Sequence, residues 1–110
     1  VGIFLRQRDN NEPLTIVGDG EQRRDFTHVD DIVEANIRAA TYNNVVGEII
    51  NVGTGTNHSV KEIAEKIGSE YKHLEPRKGE ARVTLADTKK INLLLKFIPE
   101  NRLFRYLDEQ

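Results

Sequence analysis

The stretch Gly18-Asp19-Gly20-Glu21-Gln22-Arg23-Arg24-Asp25-Phe26-Thr27-His28-Val29-Asp30-Asp31 decides how the rest of this chain is read. It follows Leu14-Thr15-Ile16-Val17, a short β-branched run that predicts a strand ending in a tight glycine turn. Beyond it, Asp30 or Asp31 is placed to cap a helix. The apolar positions Ile32, Val33, Ala35, Ile37, Ala39 and Ala40 give that helix a stripe to about Tyr42. Arg23 and Arg24 thus follow a turn at the carboxyl end of a strand, where open α/β sheets hold their ligands. Arginine presents a planar fork of donors that matches phosphate oxygens in pairs. A solvated pairing of Arg24 with Asp25 or Asp30 accounts for the same residues.

Upstream, residues 2–9 read as the tail of a helix, and Asn10-Asn11-Glu12-Pro13 as a turn. Downstream, Glu48-Ile49-Ile50-Asn51-Val52 reads as a second strand, closed by Gly53-Thr54-Gly55. Ser59-Val60-Lys61-Glu62 is a capping box for a helix that Gly68 stops. Residues 71–75 and 82–85 predict short strands. A helix is expected over 87–95, broken by Pro99, and a last one over 101–108. The alternation makes the fold α/β or α+β. The runs at 14–17 and 48–52 are continuous and apolar, which suits strands buried on both faces. Four short strands are few for a parallel sheet, so further neighbours are expected outside this sequence.

A second basic loop, Pro76-Arg77-Lys78-Gly79-Glu80, offers a cation for phosphate and a carboxylate for a sugar hydroxyl. Two such loops in one small domain are expected to converge on one diphosphate. Gly53-Thr54-Gly55 begins like the dinucleotide fingerprint, but His58 stands where its third glycine belongs, so no cofactor-binding residue is expected there. His28, His58 and His73 lack zinc-pair spacing and there is no cysteine, so no metal ligand is expected. His28, Asp30 and Asp31 read as helix capping rather than a cation site. No tyrosine is followed four residues later by lysine, and no G-x-S-x-G is present, so no catalytic residue is assigned.

The length of 110 residues suits a single domain, 1–110. A formal net charge of −2 argues against a nucleic-acid partner, since phosphate selects for a basic face. No apolar run approaches the ~20 residues that span a bilayer, so no membrane partner is expected and cytoplasmic residence is. The chain opens on Val1 and holds no methionine, which reads as a fragment of something longer.

The phrases PLTIVGDGEQRRDFTHVDDIVEA (13–35), GEIINVGTG (47–55), SVKEIAEKIG (59–68) and EPRKGEARVTLADTKK (75–90) resemble the extended short-chain dehydrogenase/reductase group, the nucleotide-sugar epimerases and dehydratases. LLLKFIPE (93–100) resembles that group's "LGW-x-P", with Lys96 and Phe97 for Gly and Trp. The wording is nearest to UDP-glucose 4-epimerase-like proteins. The resemblance implies a small C-terminal substrate domain plus the last helix (30–42) and strand (48–52) of a Rossmann sheet whose remainder is missing. It implies that Arg24 and Arg77 bind the diphosphate of a nucleotide sugar, a UDP-sugar by preference, and that Glu80 holds the ribose. It implies that the strand of Thr15 and Val17 lies against the base. Thr84 would border the sugar pocket, small enough to admit an N-acetylated sugar. NAD and the Tyr-x-x-x-Lys relay would belong to the parent enzyme's N-terminal domain, leaving this portion inactive alone. Its uncovered strand or helix surfaces would favour homo-oligomers. A dehydratase or decarboxylase parent, and a stand-alone binding module, are the alternatives.

Overall fold

In strand β1 (Leu14–Val17), Leu14 and Ile16 are fully buried, while Thr15 and Val17 are half-buried. The strand has one core face, so the expectation of burial on both faces is corrected. The computed structural model describes residues 1–110 and divides into two compact units.

The first unit comprises residues 1–24, 58–84 and 104–110. Here β1 pairs in parallel with β4 (Tyr71–Leu74), in the register Leu14↔Tyr71 to Val17↔Leu74. Helix α1 (Gly2–Asp9) precedes β1 and buries Phe4. Between them Asn11 takes a left-handed φ of 57°, the turn geometry its amide tolerates. The Gln7 side chain then reaches across to Thr15, donating to its hydroxyl at 2.9 Å and accepting its N–H at 3.1 Å. A two-residue pair, β2 (Arg23–Arg24) with β3 (His58–Ser59), forms a second, antiparallel ladder. The segment expected as a strand at 82–85 reduces to one parallel bridge between Arg23 and Val83. Helix α3 (Val60–Ile67) turns Ile63 and Ala64 into the core and ends at Gly68, left-handed at φ 82°.

The capping box of α3 is half formed. Ser59 Oγ accepts the Glu62 N–H at 3.0 Å, but Glu62 does not return the bond. Its carboxylate faces Arg23 at 3.1 Å and His58 at 3.1 Å instead. Charged partners outbid a backbone N–H, because hydrogen bonds with an ionised donor are the stronger kind. The last helix, α5 (Leu103–Asp108), adds Leu107 to the buried set and lays Phe104 against the His58 ring, with centroids 4.6 Å apart.

The second unit comprises residues 25–57 and 85–103. Its core is Ala35, Val45, Ile91 and Leu95, with Tyr42, Ile50, Val52, Leu94 and Phe97 packed around it. These come from helix α2 (Val29–Thr41), a 3-10 turn at Asn43–Val45 and helix α4 (Lys89–Leu95). His28, not Asp30 or Asp31, caps α2: its Nδ1 accepts the Asp30 N–H at 3.1 Å. Asp31 lies one turn in and is buried, and it bonds Arg102 at 2.9 Å and the Glu100 N–H at 3.2 Å. Along α2 only Ala35 of the expected stripe is buried; Val33 and Ile37 face outward.

Two further expectations are corrected here. Residues 48–52 form no strand: no segment pairs with them, and Ile49 is 85% exposed. A run of β-branched residues makes a strand only where another backbone accepts its ladder. Helix α4 starts at Lys89 and not Asp87, which accepts the Lys89 N–H; it runs to Leu95 as expected, but its end is the left-handed Lys96 and not Pro99. Lys96 holds φ 62°, ψ 30°, and the Arg38 guanidinium donates to the carbonyls of Leu95 and Lys96 at 2.8 and 3.2 Å. Arg38 therefore supplies the donors that the helix end lacks. It also stacks over Phe97, 4.7 Å from the ring centroid.

A side chain in the left-handed region costs free energy that glycine avoids. Lys96→Gly is expected to stabilise the chain by about 0.5–1 kcal/mol. The check is a urea titration, with a higher midpoint at an unchanged slope; an equal or lower midpoint would contradict the reading.

Candidate nucleotide-binding cleft

The parallel register brings β1 and β4 to their carboxyl ends together, and the Gly18 N–H extends the ladder to Leu74 O at 2.9 Å. From there the chain leaves β1 through Gly18-Asp19-Gly20, with φ of 70° at Gly18 and 77° at Gly20. Gly20 is required for space as well. A Cβ there would stand 2.9 Å from the Ile16 side chain. β4 leaves through the loop Glu75 to Ala81. The two exits enclose a cleft of about 240 Å³, lined by Val17, Gly18, Asp19, Gln22, Pro76, Arg77, Glu80, Ala81 and Arg82.

Its charges are ordered. Arg82 holds Asp19 through two bonds of 2.8 Å each. That fork, with the Glu21 N–H at 2.9 Å, brings the Asp19 carboxyl down to about 2. Glu80 faces Arg24 at 3.5 Å, and Arg24 also donates to Arg23 O at 2.8 Å. Arg77 lines the cleft and makes no ion pair. Gln22 is buried, its side-chain amide donating to Val17 O at 2.9 Å.

Of the residues expected at a ligand, Val17, Arg77 and Glu80 thus line one cleft, and Arg24 joins them through Glu80. Thr15 lies on Gln7, outside the lining set. Thr84 also lies outside it, exposed, with its N–H on Arg23 O at 3.0 Å. Asp19, Gln22 and Arg82 were not singled out from sequence. Their signal was an aspartate between two glycines, and an arginine two residues beyond Glu80.

Asp25, read as a partner for Arg24, serves a different purpose. Its carboxylate accepts four bonds within the second unit: from the Thr54 N–H (3.0 Å) and hydroxyl (2.6 Å), the Gly55 N–H (2.9 Å) and the Ala86 N–H (3.2 Å). Gly53 is there for want of room, since a methyl would run into Ala86 and the Asp25 carboxylate. The backbone donors that a cofactor phosphate would need at this glycine loop are already held by the chain's own anion. No three or more of His, Cys, Asp or Glu gather as a metal site. No helix is long and apolar enough to cross a membrane.

A model of the NAD dependent epimerase/dehydratase family matches residues 1–53. A putative UDP-glucose 4-epimerase from Methanocaldococcus jannaschii is 38% identical over 100 residues, covering 86% of this chain and 32% of the relative. A UDP-glucuronate 4-epimerase from Thermodesulfobacterium geofontis is 38% identical over 104 residues, covering 88% and 32%. The crystal structure of UDP-glucuronic acid 4-epimerase from Bacillus cereus, in complex with UDP-glucuronic acid and NAD, superposes with a TM-score of 0.86 at 34% identity. That match covers 96% of this chain and 36% of the crystallised one. The chain spans about a third of the length of the curated relatives it matches.

Burial alone would raise the Asp25 pKa, but the bonds from Thr54, Gly55 and Ala86 outweigh it and leave it lowered. A carboxyl lowered in the folded state stabilises fully above its unfolded value, near ~3.9, and loses that contribution as pH falls through the folded one. Asp25→Asn turns an NH₂ towards backbone donors and is expected to cost about 1–3 kcal/mol at neutral pH. Urea titrations at neutral pH and at about pH 3 check this. The variant should lose less stability on acidification than the parent; parallel losses would contradict the assignment.

Proposed function

The chain belongs to the NAD-dependent epimerase/dehydratase family, and we propose that it forms the portion of a nucleotide-sugar epimerase that grips the substrate's nucleotide diphosphate. The observation that carries this is the cleft beyond β1 and β4, where Arg77, free of ion pairs, shares a wall with Glu80. In this reading the Arg77 fork meets the diphosphate and Arg24 meets it from the Glu80 side. Glu80 accepts ribose hydroxyls, and the half-buried Val17 packs under the base. The relatives named for UDP-sugars point to uridine as that base, and the parent is most like a UDP-glucose 4-epimerase. Thr84, small and exposed, sits on the sugar side and leaves room for an acetamido group.

The grip is remote from the reacting carbon, and its purpose is positional. Binding energy at the nucleotide holds the sugar in place for chemistry supplied elsewhere. NAD would have to sit outside the 53–55 loop, whose donors Asp25 holds, so no residue of these 110 is assigned to it and the chain alone is proposed to be inactive. The outward Val33 and Ile37 of α2, with exposed Ile49, suit association with more protein, including a second copy. A cytoplasmic setting fits a sugar-nucleotide substrate.

Calorimetric titration of UDP into the 110-residue chain tests the reading. Saturable one-to-one binding is expected, weakened about 10- to 100-fold by Arg77→Ala, the worth of a hydrogen bond to a charged group. Absence of saturable binding, or equal affinity in the variant, would contradict it.

A further inference from the structure

Resting on the nucleotide-grip reading, we infer that Asp19 and Arg82 are positioning residues, a latch that holds the Arg77–Glu80 loop over the nucleotide. The loop from Glu75 to Ala81 makes no backbone hydrogen bond to the rest of the chain. Gly79 inside it is left-handed at φ 75° with nothing within 4 Å of a would-be Cβ, and residues 75–81 are all exposed, so Pro76 beside Gly18 is the loop's packing contact at its near end. At its near end it leaves β4, which is paired. At its far end two side-chain contacts tether it: Glu80 to Arg24 at 3.5 Å, and Arg82 to Asp19 through two bonds of 2.8 Å. Arg82 is also set in backbone, its carbonyl accepting the Arg23 N–H at 2.8 Å.

The far side of the latch is hydrogen-bonded at both flanks of Asp19. Gly18 donates to Leu74 O, Gly18 O meets His73 Nδ1 at 2.7 Å, and Gly20 O accepts the Lys61 N–H at 2.9 Å. Asp19 accordingly stands on a hydrogen-bonded turn, and Arg82 stands where the exposed loop rejoins the backbone beside Arg23. Both line the cleft. The pair is solvent-exposed, and such pairs contribute little unless the geometry is two-pronged, as it is here. What it supplies is the closed course of the loop, which carries Arg77 and Glu80 to the ligand already ordered.

The sign of one substitution separates a latch from a plain charge effect. Asp19 is an anion in a cleft meant for an anion. If it acted only through its charge, Asp19→Asn would tighten UDP binding while Arg82→Gln would loosen it. A latch requires both to loosen binding, each by about fivefold, with the double variant no weaker than either single one. UDP titrations of the chain, both single variants and the double variant decide between these. A second readout needs no ligand: amide ¹⁵N order parameters of residues 76–81 should fall in Asp19→Asn while those of β1 and β4 stay unchanged. Tighter binding in Asp19→Asn, additive losses, or unaltered order parameters would overturn the latch. If the parent chain itself fails to bind UDP, the nucleotide grip falls and the latch with it. If the parent binds and the variants match it, the latch alone falls.

Discussion

The parallel register of β1 and β4, Leu14 opposite Tyr71 through Val17 opposite Leu74, ends both strands side by side. Parallel pairing makes the two exits adjacent, and the polypeptide leaving each exit is the wall of the cleft. Asp19 and Gln22 arrive on one side, Arg77, Glu80 and Arg82 on the other. An antiparallel pair would send one of these loops to the opposite end of the strands, and the charges would not meet. Open α/β sheets place ligands beyond strand carboxyl ends for this reason. The register is held by two fully buried side chains, Leu14 and Ile16, and by Gln7, which serves Thr15 as a substitute for a neighbouring strand.

A second constraint orders the other unit. Asp25 gathers donors from Thr54, Gly55 and Ala86, segments that have no regular secondary structure to hold them. One ionised carboxylate with four bonds is worth more to such a loop than an uncharged partner, because charge-assisted bonds are roughly twice as strong. The same arrangement places the chain's own anion on the Thr54 and Gly55 N–H groups of a sequence that starts like a phosphate-binding fingerprint.

The legible parts of the sequence were those decided locally. Leu14-Thr15-Ile16-Val17 before the Gly18-Asp19-Gly20 turn forms its strand, Ser59 accepts the Glu62 N–H as an N-cap, and Gly68 ends the helix after Ile67, each carrying its geometry in neighbouring residues. Residues 48–52 look like a strand by composition, but strand formation depends on a pairing backbone that the segment does not find. The role of Asp25 depends on partners 29 to 61 positions away, so its neighbour Arg24 was the more visible candidate. Asp19 stands in a glycine turn and Arg82 at the start of an expected strand, and nothing local links them until the fold brings them together across 63 positions. Lys96 has no helix-ending signature of its own; only the comparison with "LGW-x-P" marks it as a glycine position, and its φ of 62° agrees.

In the proposed reading, nucleotide recognition in this chain belongs to the cleft formed by the two strand exits and not to the glycine loop at 53–55. The most direct measurement is a ¹⁵N–¹H correlation spectrum recorded through a titration with UDP. Amide shifts are expected to concentrate at Val17 to Gln22 and at Arg77 to Arg82, with Thr54 and Gly55 unmoved under the Asp25 carboxylate. Shifts centred on residues 53–58, or none at saturating UDP, would contradict it.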